Sequence, residues 1–344
     1  MMSGIYSEPE LQQLLNILLS YCEKKLPEHD TLFSLIDRTV TVLEKESDTY
    51  RTKADDGTPG GLIDFTSDEY RTQTIIVVPD LHARAEFIIK LLKSDVVKPT
   101  VLDALNENRV IVICVGDGVH AENREYERWM KAYHDWQEGL YNGESMQSEM
   151  EEGIATMRGV MAVKCAFPVN FHFLKGNHEN IMDNEGDGDH SFRKFALEGE
   201  MVKDFVREVY GDVILHMENC FEKALPICAI CRKCGVSHAE PLKAYTKKEI
   251  INYHKHPELI LGLTWTANDE AEDDSVEKLF HTLNKKNKSA APLWFGGHRP
   301  VQDKFLLRQN GMYVQIHNPD EMNVAVIKPD SVFNPETDIV SVTE

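Results

Sequence analysis

An α/β fold is predicted for this chain by three features of its sequence. Short runs of β-branched and other apolar residues recur from Thr74 onward. Most of them end in polar turns built from Gly, Asp, Asn and His. Segments of helical periodicity lie between several of these runs. Apolar residues make up 42% of the 344 and charged residues 27%, a balance that supports a packed core rather than a disordered chain.

Taken in chain order, residues 1–70 read as an N-terminal helical extension. Leu11, Leu14, Leu15 and Leu18 recur at helical spacing, and a second helical segment runs over about Thr31–Leu43. A loop containing Asp55, Asp56, Gly57, Pro59, Gly60 and Gly61 follows, and the main domain is expected over 71–330. Strands are expected at Thr74–Pro79, Val110–Val115, Phe171–Lys175, Ile227–Ile230, Leu293–Phe295, Met312–Ile316 and Val324–Ile327. An acidic stretch over about 122–160 reads as a helical insertion covering the rim of the domain. Its Trp129, Tyr133 and Trp136, at i, i+4 and i+7, are expected to pack on the domain. The polar tail, 331–344, is expected to be loose.

Charge narrows the partners. Lys and Arg number 37 against 57 Asp and Glu, a net charge of −20 that repels phosphate backbones, so no nucleic acid is expected. No run of about 18 uncharged apolar residues exists, so no membrane span is expected. The start, MMSGIYSEPELQQ, lacks the basic and apolar parts of a secretory signal, and seven cysteines, an odd number, fit a reducing compartment. A cytoplasmic protein is the expectation.

The chemistry is carried by five short motifs in order: Asp80-Leu81-His82, Gly116-Asp117, Gly176-Asn177-His178-Glu179, Gly235-Val236-Ser237-His238 and Gly296-Gly297-His298. Each alone is weak, but five in sequence at or close behind strand-like runs rarely arise by chance. Asp80 and His82 are alternate residues, so both side chains can point the same way from a strand end. Carboxylate oxygens mixed with imidazole nitrogens suit Mn²⁺, Fe or Zn²⁺ rather than Ca²⁺.

At these residues the sequence resembles the calcineurin-like metallophosphoesterases, and most of all their phosphoprotein (serine/threonine) phosphatase branch. The likeness continues between motifs, in Cys220–Cys228, Leu263-Thr-Trp265-Thr and Gln315-Ile-His317-Asn-Pro, and runs from Thr74 to Ile327. The resemblance implies two facing mixed β-sheets flanked by helices, with two divalent metal ions at the strand ends, Mn²⁺ favoured. It implies Asp80, His82 and Asp117 around the first metal, with Asp117 bridging to a second completed by Asn177, His238 and His298. A metal-bridging hydroxide would be the nucleophile, and His178 would protonate the leaving alkoxide. The implied substrate is a phosphorylated protein or a small phosphoester.

Three departures stand out. His120 occupies the place of the acid that orients the catalytic histidine, and Ala121 that of the phosphate-clamping arginine. Arg124, with Arg84 and Arg299 behind it, is the candidate replacement clamp. Ala239-Glu240-Pro241 replaces a glycine-rich turn, and Pro300 stands where related phosphodiesterases carry a further metal-binding histidine. Pro300 favours the phosphatase branch, while loss of the clamp arginine leaves a phosphodiesterase or nucleotide polyphosphate hydrolase as the alternative activity. A catalytically weak scaffold, binding a partner through the extension and insertion, is the alternative class.

Other signals have plainer readings. Cys228, Cys231 and Cys234 mimic a metal motif, but an i, i+3 pair on a strand points to opposite faces, so core cysteines are expected. Asp183 to Asp189 mimics a calcium loop without its bidentate Glu, so a solvated rim loop is expected. His254 and His256 are expected at the surface.

Overall fold

The computed structural model describes residues 4–23, 25–285, 287 and 291–342. Its strands are β1 (Leu62–Phe65), β2 (Thr74–Val78), β3 (Val110–Cys114), β4 (Phe171–Phe173), β5 (Cys228–Cys231), β6 (Gly235–Ser237), β7 (Trp294–Gly296), β8 (Leu306–Arg308), β9 (Tyr313–Gln315), β10 (Asn323–Ile327) and β11 (Ile339–Ser341). Its helices are α1 (Glu8–Tyr21), α2 (His29–Glu44), α3 (Ala85–Lys93), α4 (Val101–Asn106), α5 (Tyr126–Gln137), α6 (Glu144–Ala166), α7 (Glu198–Ala224), α8 (Lys247–Ile251), α9 (Pro257–Thr264), α10 (Ser275–Leu283) and α11 (Pro335–Asp338).

Two sheets result, ordered β11-β10-β2-β3-β4 and β1-β5-β6-β7-β9-β8. Parallel pairs (β2 with β3, β3 with β4, β6 with β7, β7 with β9) mix with antiparallel ones, so the expected mixed sheets are present. Period-two alternation decides the layering. Ile75 and Val77 of β2, Ile111 and Ile113 of β3, Ala229 and Cys231 of β5 and Val314 of β9 fill a core between the sheets. The alternate residues Ile76, Val78, Val110, Val112 and Cys114 face helices α1, α2, α3, α6 and α7. Leu62, Cys228, Ile230, Trp294 and Tyr313 face α8, α9 and α10. Both faces of each sheet are buried, which is why the central strands read as unbroken apolar runs.

Three expectations about boundaries give way. The first 70 residues are not a separate extension: β1 lies among them and pairs in parallel with β5, while Leu32, Leu35, Ile36 and Leu43 of α2 sit in the helical core. The 122–160 stretch is not a rim insertion either. Within it α6 is the crossover between the parallel strands β3 and β4, and its acids mislead because Glu149 and Glu152 are buried, paired with Arg128 and Arg124. The tail is ordered through Val342, because β11 adds to the edge of β10 and buries Ile339 between the sheets. Residues 343 and 344 lie outside the described residues.

The plainer readings hold. Cys228 and Cys231 face different cores, and all seven cysteines are free thiols. Trp129 is fully buried, and Tyr133 stacks on Trp136 with ring centres 6.0 Å apart. His254 is exposed and His256 partly so.

Candidate metal centre

The C-terminal ends of six strands meet at one place, and four of them, β2, β3, β4 and β7, supply residues that line a cleft of about 310 Å³ there. β2 leads to Asp80 and His82, β3 to Asp117, β4 to Asn177 and His178, β6 to His238, β7 to His298 and β9 to His317. The backbone turns sharply where these side chains are presented. His82, Asp117, His120, Glu122 and His298 all have positive φ, between 41° and 76°. Residues with a Cβ adopt that region at a cost of about 1–3 kcal/mol each, and such strain gathers at functional sites. Gly297 fills a need of another kind, because a Cβ there would lie 2.1 Å from Asp80 Oδ1.

Hydrogen-bond logic fixes what the histidines offer. His238 Nδ1 lies 3.2 Å from Val115 O, a pure acceptor, so the ring proton sits on Nδ1 and Nε2 presents a lone pair. That lone pair faces Asn177 Oδ1 at 2.7 Å and Asp117 Oδ2 at 3.5 Å, while His298 Nδ1 lies 2.9 Å from the same Asn177 oxygen. Four donor atoms thus surround one point. Beside it, His82 Nδ1 donates to His120 O at 3.1 Å, leaving Nε2 3.9 Å from Asp80 Oδ2, 3.8 Å from Asp117 Oδ2 and 3.4 Å from Glu122 Oε1. Asp117 Oδ2 belongs to both sets, the position a bridging ligand takes. Electron pairs facing one another at these distances, in the dry ends of two sheets, make a set that cations could hold together.

The electrostatics carry the same message. Asp80 and Asp117 are almost fully buried. Burial first, then the charges of Asp117 and Glu122, push Asp80 well above the usual carboxylate range, and burial drives Asp117 up to about 8. Burial likewise holds His82 and His238 well below the ordinary histidine value, and His298 falls to about 3. Neutral imidazoles beside destabilised carboxylates form a metal-accepting set. The residues present therefore fit two divalent ions: Asp80, His82 and Asp117 could hold one, and Asp117, Asn177, His238 and His298 the other.

His178 stands beside this set. Its ring stacks on Phe192 with centres 4.5 Å apart, Nδ1 lies 3.4 Å from Val119 O, and Nε2 lies 3.7 Å from Asp117 Oδ2. Burial lowers its pKa. Glu179 is structural, its carboxylate accepting from the backbone N–H groups of Gly176, Asp117 and Gly118.

His120 does not orient His178. Its Nδ1 accepts from Glu122 N, its Nε2 faces Glu198 Oε1 at 3.5 Å, and the two rings meet edge to face at 5.3 Å. Trp129 stacks on its outer side. Arg124 opens on a neighbouring cleft and is engaged by Glu152 at 3.1 Å and Glu125 at 3.5 Å. Arg84 is buried and donates to the carbonyls of Asp80, Leu81 and Glu321. Arg299, exposed, lines the metal cleft, together with Arg193 and Lys194 from the far end of the acidic loop. That loop is a rim element: Glu185 pairs with Arg193, and Lys175 lies 3.5 Å from Asp189.

Two residues outside the five motifs also lie at the centre. His317 is fully buried, with Nδ1 3.6 Å from Asp80 Oδ2 and Nε2 3.2 Å from Glu122 Oε2. Asp80, His82 and His317 form one of the clusters whose ligand atoms fall within 4.8 Å of one another. Glu122 also pairs with Lys194 at 3.2 Å. Burial works against the Glu122 charge, but His82, His317 and Lys194 outweigh it and hold the carboxyl far below its ordinary value. The available signal for His317 was its place one residue past the apolar run Met312–Ile316.

A family model described as calcineurin-like phosphoesterase matches residues 73–324. Among solved structures, a protein serine/threonine phosphatase from Saccharomyces cerevisiae, with similarity to human phosphatase PP5, superposes with a TM-score of 0.60 at 13% identity, over 98% of this chain and 95% of that one. A cold-active protein-tyrosine phosphatase of a psychrophilic Shewanella species gives a TM-score of 0.41 at 10% identity, over 82% of this chain and 80% of that one. No curated protein matches the chain.

Proposed function

From the premise that the chain belongs to the calcineurin-like phosphoesterase family, we propose that it is a dinuclear-metal phosphomonoesterase of the serine/threonine protein phosphatase type, acting on a phosphorylated protein or a small phosphoester. The observation that carries this reading is the double cluster of lone pairs sharing Asp117 Oδ2, opening into a cleft whose rim is cationic. When bound, two divalent ions, Mn²⁺ first among Mn²⁺, Fe and Zn²⁺, supply Lewis-acid activation of water and neutralise the phosphoryl oxygens. Arg299 lines the approach and takes the phosphate role that Arg124, turned toward Glu152, leaves open. His178 presents Nε2 to the cleft and gives its proton to the leaving oxygen. A phosphate dianion beside the ring would raise its pKa again, offsetting the effect of burial. Seven free thiols support a cytoplasmic location, and among the described residues no helix is long and apolar enough to cross a membrane.

The test is turnover by chelator-stripped protein on separate addition of Mn²⁺, Zn²⁺ and Fe²⁺. The substrates are p-nitrophenyl phosphate, a phosphothreonine peptide and bis-p-nitrophenyl phosphate. Turnover of both monoesters on metal addition is expected. Turnover of the diester alone would overturn the monoesterase assignment, and none at all with two ions bound would overturn the enzymatic one.

A further inference from the structure

His317 has no assigned role in the reading above, yet its surroundings leave it little else to do. It is a fully buried imidazole, and among the described residues its Nδ1 has no hydrogen-bond partner. Its other nitrogen faces Glu122 Oε2 at 3.2 Å, and a carboxylate only accepts, so the ring proton sits on Nε2 and the Nδ1 lone pair points away from it. What Nδ1 meets is Asp80 Oδ2, at 3.6 Å, a second electron-rich atom. Asp80 Oδ1 is also buried without a partner. Oδ2 accepts from His298 N at 2.9 Å, but the lone pairs of His317 Nδ1 and Asp80 Oδ1 are left unsatisfied in a dry interior, a costly arrangement if nothing came between them.

The topology explains how this histidine arrives there. β7 and β9 are parallel neighbours with Gly296 opposite Gln315, so His298 and His317 each lie two residues beyond the same rung. Two adjacent strand ends thus deliver two imidazoles side by side. One reaches Asn177 on the second-metal side, the other Asp80 and His82 on the first.

We infer that His317 is a fourth protein ligand of the first metal, binding through Nδ1, and that Glu122 is its positioning residue, fixing the tautomer by accepting the Nε2 proton. The arrangement is a carboxylate–histidine–metal relay, in which the outer carboxylate orients the ring and raises its basicity. Lys194, 3.2 Å from Glu122 Oε1, holds the carboxylate from its other end. The inference rests on the dimetal reading of the site but not on any particular substrate.

The experiment is a Mn²⁺ titration of the metal-free protein, followed by calorimetry and by the loss of the free-ion electron paramagnetic resonance signal. His317→Ala and Glu122→Gln are compared with the parent. In His317→Ala one of two sites weakens by at least about 10- to 100-fold while the other is retained, and Glu122→Gln weakens the same site by about tenfold. Because His317→Ala could lose its fold, the unmutated protein carries a second measurement. With ¹⁵N-labelled histidine, Zn²⁺ loading shifts the Nδ1 resonance of His317 and leaves Nε2 protonated. Two full-affinity sites in His317→Ala, or an unshifted Nδ1 in the loaded parent, would overturn the inference. A parent that binds two ions without hydrolysing any phosphoester would overturn the proposed function and leave this ligand assignment standing.

Discussion

Gly297→Ala tests the centre with one methyl group. The added Cβ would sit 2.1 Å from Asp80 Oδ1, 2.7 Å from its Cγ and 2.9 Å from Oδ2. Ordinary carbon–oxygen contact needs more than about 3 Å, so the carboxylate has to retreat by about 1 Å. It has no free room, because Asp80 is completely buried and His298 N already donates to Oδ2 at 2.9 Å. A metal–oxygen bond is about 2.0–2.2 Å, so a retreat of that size takes the oxygen out of coordination range. The expected result is loss of one metal equivalent after dialysis, measured by elemental analysis. Overpacking should also destabilise the metal-free protein by about 1–3 kcal/mol. Gly159→Ala is the control: nothing lies within 4 Å of its added Cβ, and the site is inside α6, where alanine gains up to about 1 kcal/mol of helix propensity. If Gly297→Ala keeps two ions at parental affinity, the account of Asp80 as a tightly packed ligand is wrong.

Two more outcomes follow from the same geometry. Glu46→Gln removes the charge that Lys164, Arg51 and His172 surround; burial alone would raise its pKa, but these partners outweigh it and bring the carboxyl down to about 2. A depressed carboxylate stabilises the fold above its unfolded pKa of 4.5 and loses that as pH falls toward 2. The variant should therefore be less stable by about 3 kcal/mol in urea at pH 7, with the gap narrowing by just under ~1 kcal/mol at pH 4; equal midpoints at pH 7 would refute the network's role. His178→Ala should keep both ions and lose about 10²–10⁴ in kcat, most severely for alkyl phosphates with poor leaving groups; an unchanged ratio between alkyl and nitrophenyl esters would remove His178 as the acid.

How much of this was legible in the sequence depended on burial pattern. β2, β3 and β10 are covered on both faces, so they read as TIIVV, VIVIC and NVAVI, and their boundaries fell within about a residue of the expectation. β1 reads LIDF with an acid inside it, because Asp64 turns to Lys247 and to Thr66, and β8 is an exposed edge; neither carries a strand signal of its own. That Asp80, His82, Asp117, Asn177, His238 and His298 gather in one place was legible because strand ends with Gly and polar punctuation mark where side chains leave a sheet. Glu122 was not, since it arrives on a 3₁₀ turn with φ of 55°, a path that no periodicity encodes. Arg124 is adjacent to the centre in sequence but is drawn to Glu152, a buried acid on another helix.

The same buried charges tie the segment after α2 to the strands of the candidate site. β4 carries Asn177 and His178 just beyond its end, yet it is a three-residue strand at the edge of its sheet, paired among the described residues only with β3. An edge strand that short has few ladder bonds to hold its register. Support comes from the helical side: Lys164 of α6 donates to Phe171 O on β4 and to Glu46, which follows α2, while His172 Nδ1 lies 3.4 Å from the same carboxylate. Arg51 extends the clamp to Ala224 O at the end of α7. On the cleft side Lys175 donates to Glu179 O, closing the turn that presents Asn177 and His178. The turn that presents Asn177 and His178 is therefore fixed from behind by Glu46 and Arg51, which follow α2, through Lys164 of α6 and the Ala224 carbonyl of α7.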